Sequence, residues 1–280
     1  MYTKQLIARI AKLLNSRRAL ATPVTYLILF ASLISLISVT YSFAVTKIGS
    51  QNATVETSIA KQNMQVLDDA VHSVLWTPGA TSVIYMDNAG GTFGIVPNTP
   101  RLILNLTDEH TSSSSIIFNS TTGQTLYSMQ PSESDQDGFY LRGDERAIIN
   151  QSAYTLTQLY FAAGNDSKNL ILSYRPSATV AVVGSTGEQP LNLIRVNVVN
   201  LSSSQSLLLY GEFYLEISSV SVTNNIDNYI FNESISSLAM TSTLNGVQTT
   251  VHLPISSNAA GAAVELEIVV CNIKIQEAEA

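Results

Sequence analysis

The chain's strongest chemical signal is a set of acidic side chains at alternate positions. Glu133-x-Asp135-x-Asp137-Gly138, followed by Asp144, puts carboxylates at the first, third, fifth and twelfth places of a loop and glycine at the sixth. Calcium takes oxygen ligands at this spacing, and glycine at the sixth place allows the sharp turn the loop needs. The match has departures: Glu replaces the usual Asp at the first place, Asp replaces the bidentate Glu at the last, and no helix is predicted on either side. The loop therefore reads either as a calcium site, the chain's one cofactor candidate, or as a solvated acidic turn. Within the same stretch Arg142-Gly143-Asp144 spells a cell-adhesion tripeptide, a short match that we attribute to chance.

Other reactive types are sparse. His72, His110 and His252 are the three histidines, and none stands at metal-ligand spacing from another His or Cys. Gly90-Gly91 reads as a turn rather than a phosphate cradle, because no strand-to-helix transition follows it. No nucleophile–base set is visible, so the expectation is a protein that is not an enzyme. The single cysteine, Cys271, rules out an internal disulfide framework, and its neighbours Val269 and Val270 mark it as a small buried hydrophobe. Asn-x-Ser/Thr acceptors occur at Asn52, Asn105, Asn119, Asn150, Asn165, Asn200 and Asn232, the pattern of a glycosylated exported protein.

These groups all follow an uncharged apolar run. Lys4, Arg9, Lys12, Arg17 and Arg18 come first, with no acid among them, and no charge then appears until Lys47. About 20 mostly apolar residues suffice to cross a bilayer. The positive-inside rule places residues 1–19 in the cytoplasm and everything after Lys47 outside the cell. From Lys47 onward nine basic residues face twenty-one acidic ones, a net charge of −12. Such a surface repels nucleic acid and anionic lipid headgroups, and solubility explains it equally well.

A secretory signal would end its shorter apolar core at a small-residue cleavage site, and none follows here. Instead Arg17-Arg18-Ala19-Leu20 precedes the apolar run, a pattern that resembles the class III signal peptide of archaeal type IV pilin-like precursors. The resemblance implies that a prepilin peptidase cuts between Ala19 and Leu20 on the cytoplasmic side and that the hydrophobic segment is kept. Thr22-Pro23-Val24 is similar to the Ser-Pro-Val that often follows the cut in that family, shifted by one place. A bacterial pilin would carry Glu where Val24 stands, so the likeness is to the archaeal proteins. It covers residues 17–76 and implies a cell-surface filament or envelope subunit, structural or adhesive, that assembles with copies of itself or other pilins. The alternative is an uncleaved single-pass membrane protein whose extracellular β domain binds a partner.

The elements follow from periodicity. Residues 20–46 form the transmembrane helix. Ile48, Val55, Ile59, Val66, Leu67, Ala70, Val71, Val74 and Leu75 continue it as an amphipathic extension over 47–77, with Gly49-Ser50 the expected bend and Thr77-Pro78-Gly79 the stop. From Ser82 the apolar period becomes two, with strands expected at 82–86, 92–96, 101–106, 115–118, 154–161, 170–174, 179–183, 191–199, 207–217, 247–253 and 264–275. Tyr229–Ala239 reads as either helix or strand. The apolar register moves from Val264, Leu266, Ile268 and Val270 to Cys271, Ile273 and Ile275, which predicts a bulge. The fold class is α+β: a long N-terminal transmembrane and amphipathic helix, then an antiparallel β-sandwich head over 78–280, with Gly184–Pro190 the candidate boundary between two sheets or two subdomains.

Overall fold

In the computed structural model the backbone is described for residues 2–130, 137–150, 155–164 and 167–278, and side chains from residue 23 onward. One long helix, α1 (Tyr2–Val74), is followed by fifteen strands. Two compact units result, residues 1–53 and residues 54–280.

From Tyr2 onward the first unit is helical. Gly49 and Ser50, the expected bend, both lie within α1. Pro23 is accommodated inside the helix. Ser32, Ser35, Thr40 and Thr46 donate their hydroxyls to the carbonyls of Leu29, Ala31, Leu36 and Ser42, at 2.8–3.0 Å. In an apolar run this keeps each hydroxyl satisfied without a partner from another element.

The second unit begins with the last turns of α1. Thr57, Ala60, Met64, Leu67, Val71 and Val74 are buried, a three-four alternation that lays one narrow stripe against the strands. Val55 and Val66, expected on that stripe, are exposed instead. The small or polar Thr57 and Ala60 hold the places a purely apolar reading passes over. The helix stops because Trp76 turns left-handed, with φ of 63°, and Pro78 cannot supply the next amide. The Trp76 N–H is taken up by the Cys271 sulfur at 3.4 Å, which confirms that cysteine as buried.

The strands are β1 (Thr81–Met86), β2 (Thr92–Val96), β3 (Arg101–Asp108), β4 (Ser113–Thr121), β5 (Gln124–Met129), β6 (Tyr140–Arg142), β7 (Thr157–Ala163) and β8 (Lys168–Tyr174). They continue as β9 (Ser177–Thr186), β10 (Gln189–Asn200), β11 (Leu207–Tyr210), β12 (Phe213–Phe231), β13 (Ser237–Leu244), β14 (Val247–Pro254) and β15 (Ala262–Glu277). They make a five-stranded sheet in the order β1-β12-β15-β10-β9, a six-stranded sheet β11-β2-β5-β8-β7-β6 and a four-stranded sheet β14-β13-β3-β4. Among the described residues the strands of these sheets pair antiparallel except for β10 beside β15, which run parallel.

Several expectations change. The single strand expected over 207–217 is two, because Gly211 at φ of 74° turns the chain from the six-stranded into the five-stranded sheet. Within Gly184–Pro190 the chain makes a hairpin turn: Gly187, at φ of 62°, returns β9 onto β10 in the same sheet. Tyr229–Ala239 is the end of β12, a loop and the start of β13. β5 was not foreseen, since Leu126 between Thr125 and Tyr127 breaks the alternation of apolar and polar residues in a short segment.

Two cores fill the second unit. One joins the α1 stripe to Phe93, Tyr127, Leu159, Leu170 and Leu172 of the six-stranded sheet and to Leu215, Ile217, Cys271, Ile273 and Ile275 of the five-stranded sheet. The other joins Leu102, Leu104, Leu238 and Met240 of the four-stranded sheet to Ile194, Val196, Val264, Leu266 and Ile268 of the five-stranded sheet. β15 therefore contributes even-numbered residues to one core and odd-numbered residues to the other. Its pairing with β10 is unbroken through Val270 and Cys271, so the register change predicted as a bulge in β15 is a change of buried face. The bulge itself sits opposite, at Val220 of β12.

Candidate functional site

The surface with the clearest functional meaning is the apolar part of α1. From Pro23 to Asn52 every side chain is exposed. Tyr26 is 68%, Leu27 70%, Leu36 67% and Phe43 71% accessible, and with their neighbours they form one contiguous apolar surface of the kind that marks an interaction with lipid or another protein. Each such side chain forgoes about 1.5–3 kcal/mol for as long as water surrounds it. No charged residue occurs from Pro23 to Thr46. The helix is long and apolar enough to span a membrane.

Where α1 enters the first core, a polar latch fixes it. The Asp68 side chain, 1% exposed, receives Arg142 Nη1 on Oδ2 at 2.6 Å, and Thr157 Oγ1 and the Tyr174 hydroxyl on Oδ1 at 2.8 and 3.0 Å. Arg142 also reaches Asp69 at 2.5 Å, and Asn63 exchanges two hydrogen bonds with the Asp87 backbone. Burial, and then the Asp68 charge, push the Tyr174 phenol well above its usual range, so it remains a donor at neutral pH. His72 Nε2 lies 2.9 Å from Thr157 Oγ1 and 3.5 Å from Asp68. Acid, imidazole and hydroxyl thus meet, but Thr157 is wholly buried and gives its proton to the carboxylate, so no substrate reaches an activated oxygen. The cluster locks helix to strands. Sequence reasoning passed over it, although two consecutive acids inside an apolar stripe, Asp68-Asp69, were a visible signal.

A second ionic cluster absorbs the end of the acidic loop. Asp144 pairs with Arg146 at 2.6 Å and with Arg175, whose side chain is completely buried. Arg175 also donates to the carbonyls of Thr155 and Arg146 at 2.9 and 3.2 Å. The Arg146 and Arg175 guanidiniums hold Asp144 far below the usual carboxylate range, against the opposing effect of burial. Asp137 accepts the Ala163 N–H at 2.8 Å, and Glu133 and Asp135 lie outside the described residues. Among the described residues no group of three or more His, Cys, Asp or Glu is arranged to hold a metal ion. The tripeptide Arg142-Gly143-Asp144 is likewise committed inward: Arg142 to the helix, Asp144 to two arginines, and Gly143, at φ of 76°, packed where a Cβ would strike the Thr157 carbonyl at 2.1 Å.

The acceptor asparagines separate by environment. Asn52, Asn119, Asn150 and Asn232 are exposed and Asn105 is half-buried. Asn200 is half-buried, and its amide donates to Asn272 at 2.8 Å while its oxygen accepts the Ser202 N–H at 2.9 Å. Asn165 lies outside the described residues. Arg17, Arg18, Ala19 and Leu20 lie on α1, in the part whose backbone alone is described.

Fold and surface together define a class: a largely antiparallel β domain preceded by one membrane-competent apolar helix. Comparison with family models, characterised proteins and solved structures finds no match to this chain.

Proposed function

We propose that this chain is a pilin-like subunit of an archaeal surface filament or envelope assembly, structural or adhesive in role. Its helix lies in the membrane before assembly and packs with neighbouring subunits afterwards. The observation that carries the reading is the exposure of every side chain in the uncharged apolar stretch from Pro23 to Thr46, in a chain whose β domain buries apolar cores of its own. On this reading residues 1–19 are removed by a prepilin peptidase, the β domain faces the exterior, and the four- and five-stranded sheets are the two layers of a β-sandwich.

Intact-mass measurement on protein taken from its native membrane tests the proposal. The expected mature chain begins at Leu20 and is recovered in high-mass assemblies. Retention of residues 1–19 would overturn it and leave the single-pass membrane protein. The same spectra report glycosylation, for which the structure favours Asn52, Asn119, Asn150 and Asn232. Asn200 is expected bare, because both ends of its amide are already bonded.

A further inference from the structure

The second core is open at one corner. β4 is an edge strand, and at its positions 113 and 115, paired with Asp108 and Leu106 of β3, the inward places are serines. The β12 aromatics Tyr229 and Phe231 close the opposite side, leaving a cavity of about 200 Å³. Its floor is apolar, from Leu106 and Leu238, and its rim carries Asp108, Thr111, Ser113 and Ser115. Asp108 is fixed by the His110 N–H at 3.0 Å and the Thr111 hydroxyl at 2.7 Å. Burial raises its pKa, but the Thr111 hydroxyl and the amides of His110 and Thr111 outweigh this and hold the carboxyl below its usual range.

We infer that this corner is a binding site for one ring of a neutral sugar, with Tyr229 and Phe231 meeting the ring's C–H face and Asp108, Ser113 and Ser115 meeting its hydroxyl edge. A pyranose is apolar on one face and rimmed with hydroxyls, and the cavity presents those two surfaces to it. Aromatic faces are electron-rich and attract polarised C–H groups, while an ionised carboxylate is a strong acceptor for two hydroxyls. The volume is that of roughly seven waters at ~30 Å³ each, one ring's worth and below the ~300 Å³ of pockets for drug-sized ligands. Acidic sugars are disfavoured by Asp108 itself. The site is also well placed: β12 begins on the core shared with α1, at Phe213, and ends here at Phe231. At ~3.3 Å per residue the fourteen residues from Leu215 to Tyr229 carry the pocket about 45 Å from the helix contact. This inference stands on the β domain alone and does not require that the chain assemble.

The sugar has two sources, an external glycan or the chain's own, since the acceptor Asn232 directly follows Phe231. The test uses the full chain in a detergent without a sugar headgroup, made once in a host that does not glycosylate and once in one that does. Saturation-transfer NMR is recorded with methyl hexosides, methyl N-acetylhexosaminides, glucuronate and choline. The unglycosylated protein is expected to bind a neutral glycoside with a Kd on the order of 1 mM, as ligand efficiency sets for so small a molecule. Tyr229→Ala should weaken binding at least tenfold, and Asp108→Asn several-fold. Ser115→Phe, which fills the cavity, should abolish it, while Tyr85→Ala elsewhere on the surface leaves it intact. Near-UV circular dichroism confirms that each variant is folded. Binding lost only in protein glycosylated at Asn232 assigns the site to the chain's own glycan, and binding kept assigns it to an external one. No transfer from any neutral glycoside, transfer that survives both Tyr229→Ala and Ser115→Phe, or transfer to choline alone overturns the proposal.

Discussion

At Asp144 one carboxylate serves two guanidiniums, and the consequence is measurable as a pH dependence. Its folded-state pKa is depressed, so its contribution to stability is whole above the unfolded carboxylate value of ~3.9 and is lost as pH falls below it. Asp144→Asn should cost about 2 kcal/mol in urea unfolding at pH 7. Breaking a buried pair costs more than an exposed one because Arg175 is stranded, but Asp144 itself is 38% exposed, which places the value below the usual range for buried pairs. The variant should also lose stability less steeply than the parent between pH 4 and pH 2. An unchanged acid profile would show that the pair does not report on folding. The acidic spacing around residues 133–144 was legible in the sequence; the use of its last member was not. Arg175 lies thirty-one residues further along and is brought to Asp144 by the pairing of β6 with β7 and of β7 with β8, so local spacing carries no trace of it. The same limit hid Thr157 and Tyr174 from Asp68, eighty-nine and one hundred and six residues apart.

Single elements carry more local information, and most of them could be anticipated. Alternation located most of the strands, and the stop signal Thr77-Pro78-Gly79 begins three residues beyond Val74, where the helix ends. What alternation does not encode is which face meets which layer. In β15 the apolar period is kept while its phase slips by one, and two physical causes give that pattern: an extra residue, or a strand that buries opposite faces in succession. The second holds here, because β15 is long enough to pass from one core to the other. Ile268 and Ile273 then act independently. Each replaced by Ala should cost about 2–5 kcal/mol, and the double variant should equal the sum within about 0.5 kcal/mol, since the side chains lie on opposite faces more than ~10 Å apart. Coupling well above that, read from denaturant unfolding of the four proteins, would mean that the two cores are one.

For the molecule as a whole the decisive quantity is the separation of charge from apolar surface. No charge falls between Arg18 and Lys47, while residues 47–280 carry −12. Self-association through the helix gains about 1.5–3 kcal/mol for every large side chain removed from water, and this term is insensitive to salt. Bringing acidic β domains together costs repulsion, which acts over about 30 Å at 0.01 M ionic strength but only about 8 Å at 0.15 M. If helix burial drives assembly and the β domains oppose it, filament or oligomer formation on detergent removal should be weak at 0.01 M salt and markedly stronger at 0.15 M. Sedimentation of the chain measures this directly. Adding negative charge, as in Lys274→Glu, should move the threshold to higher salt, and neutralising it, as in Glu277→Gln, to lower. Assembly that weakens as salt rises would instead mean that ion pairs between β domains hold the subunits together. The exposed apolar helix would then serve only to anchor each chain in lipid.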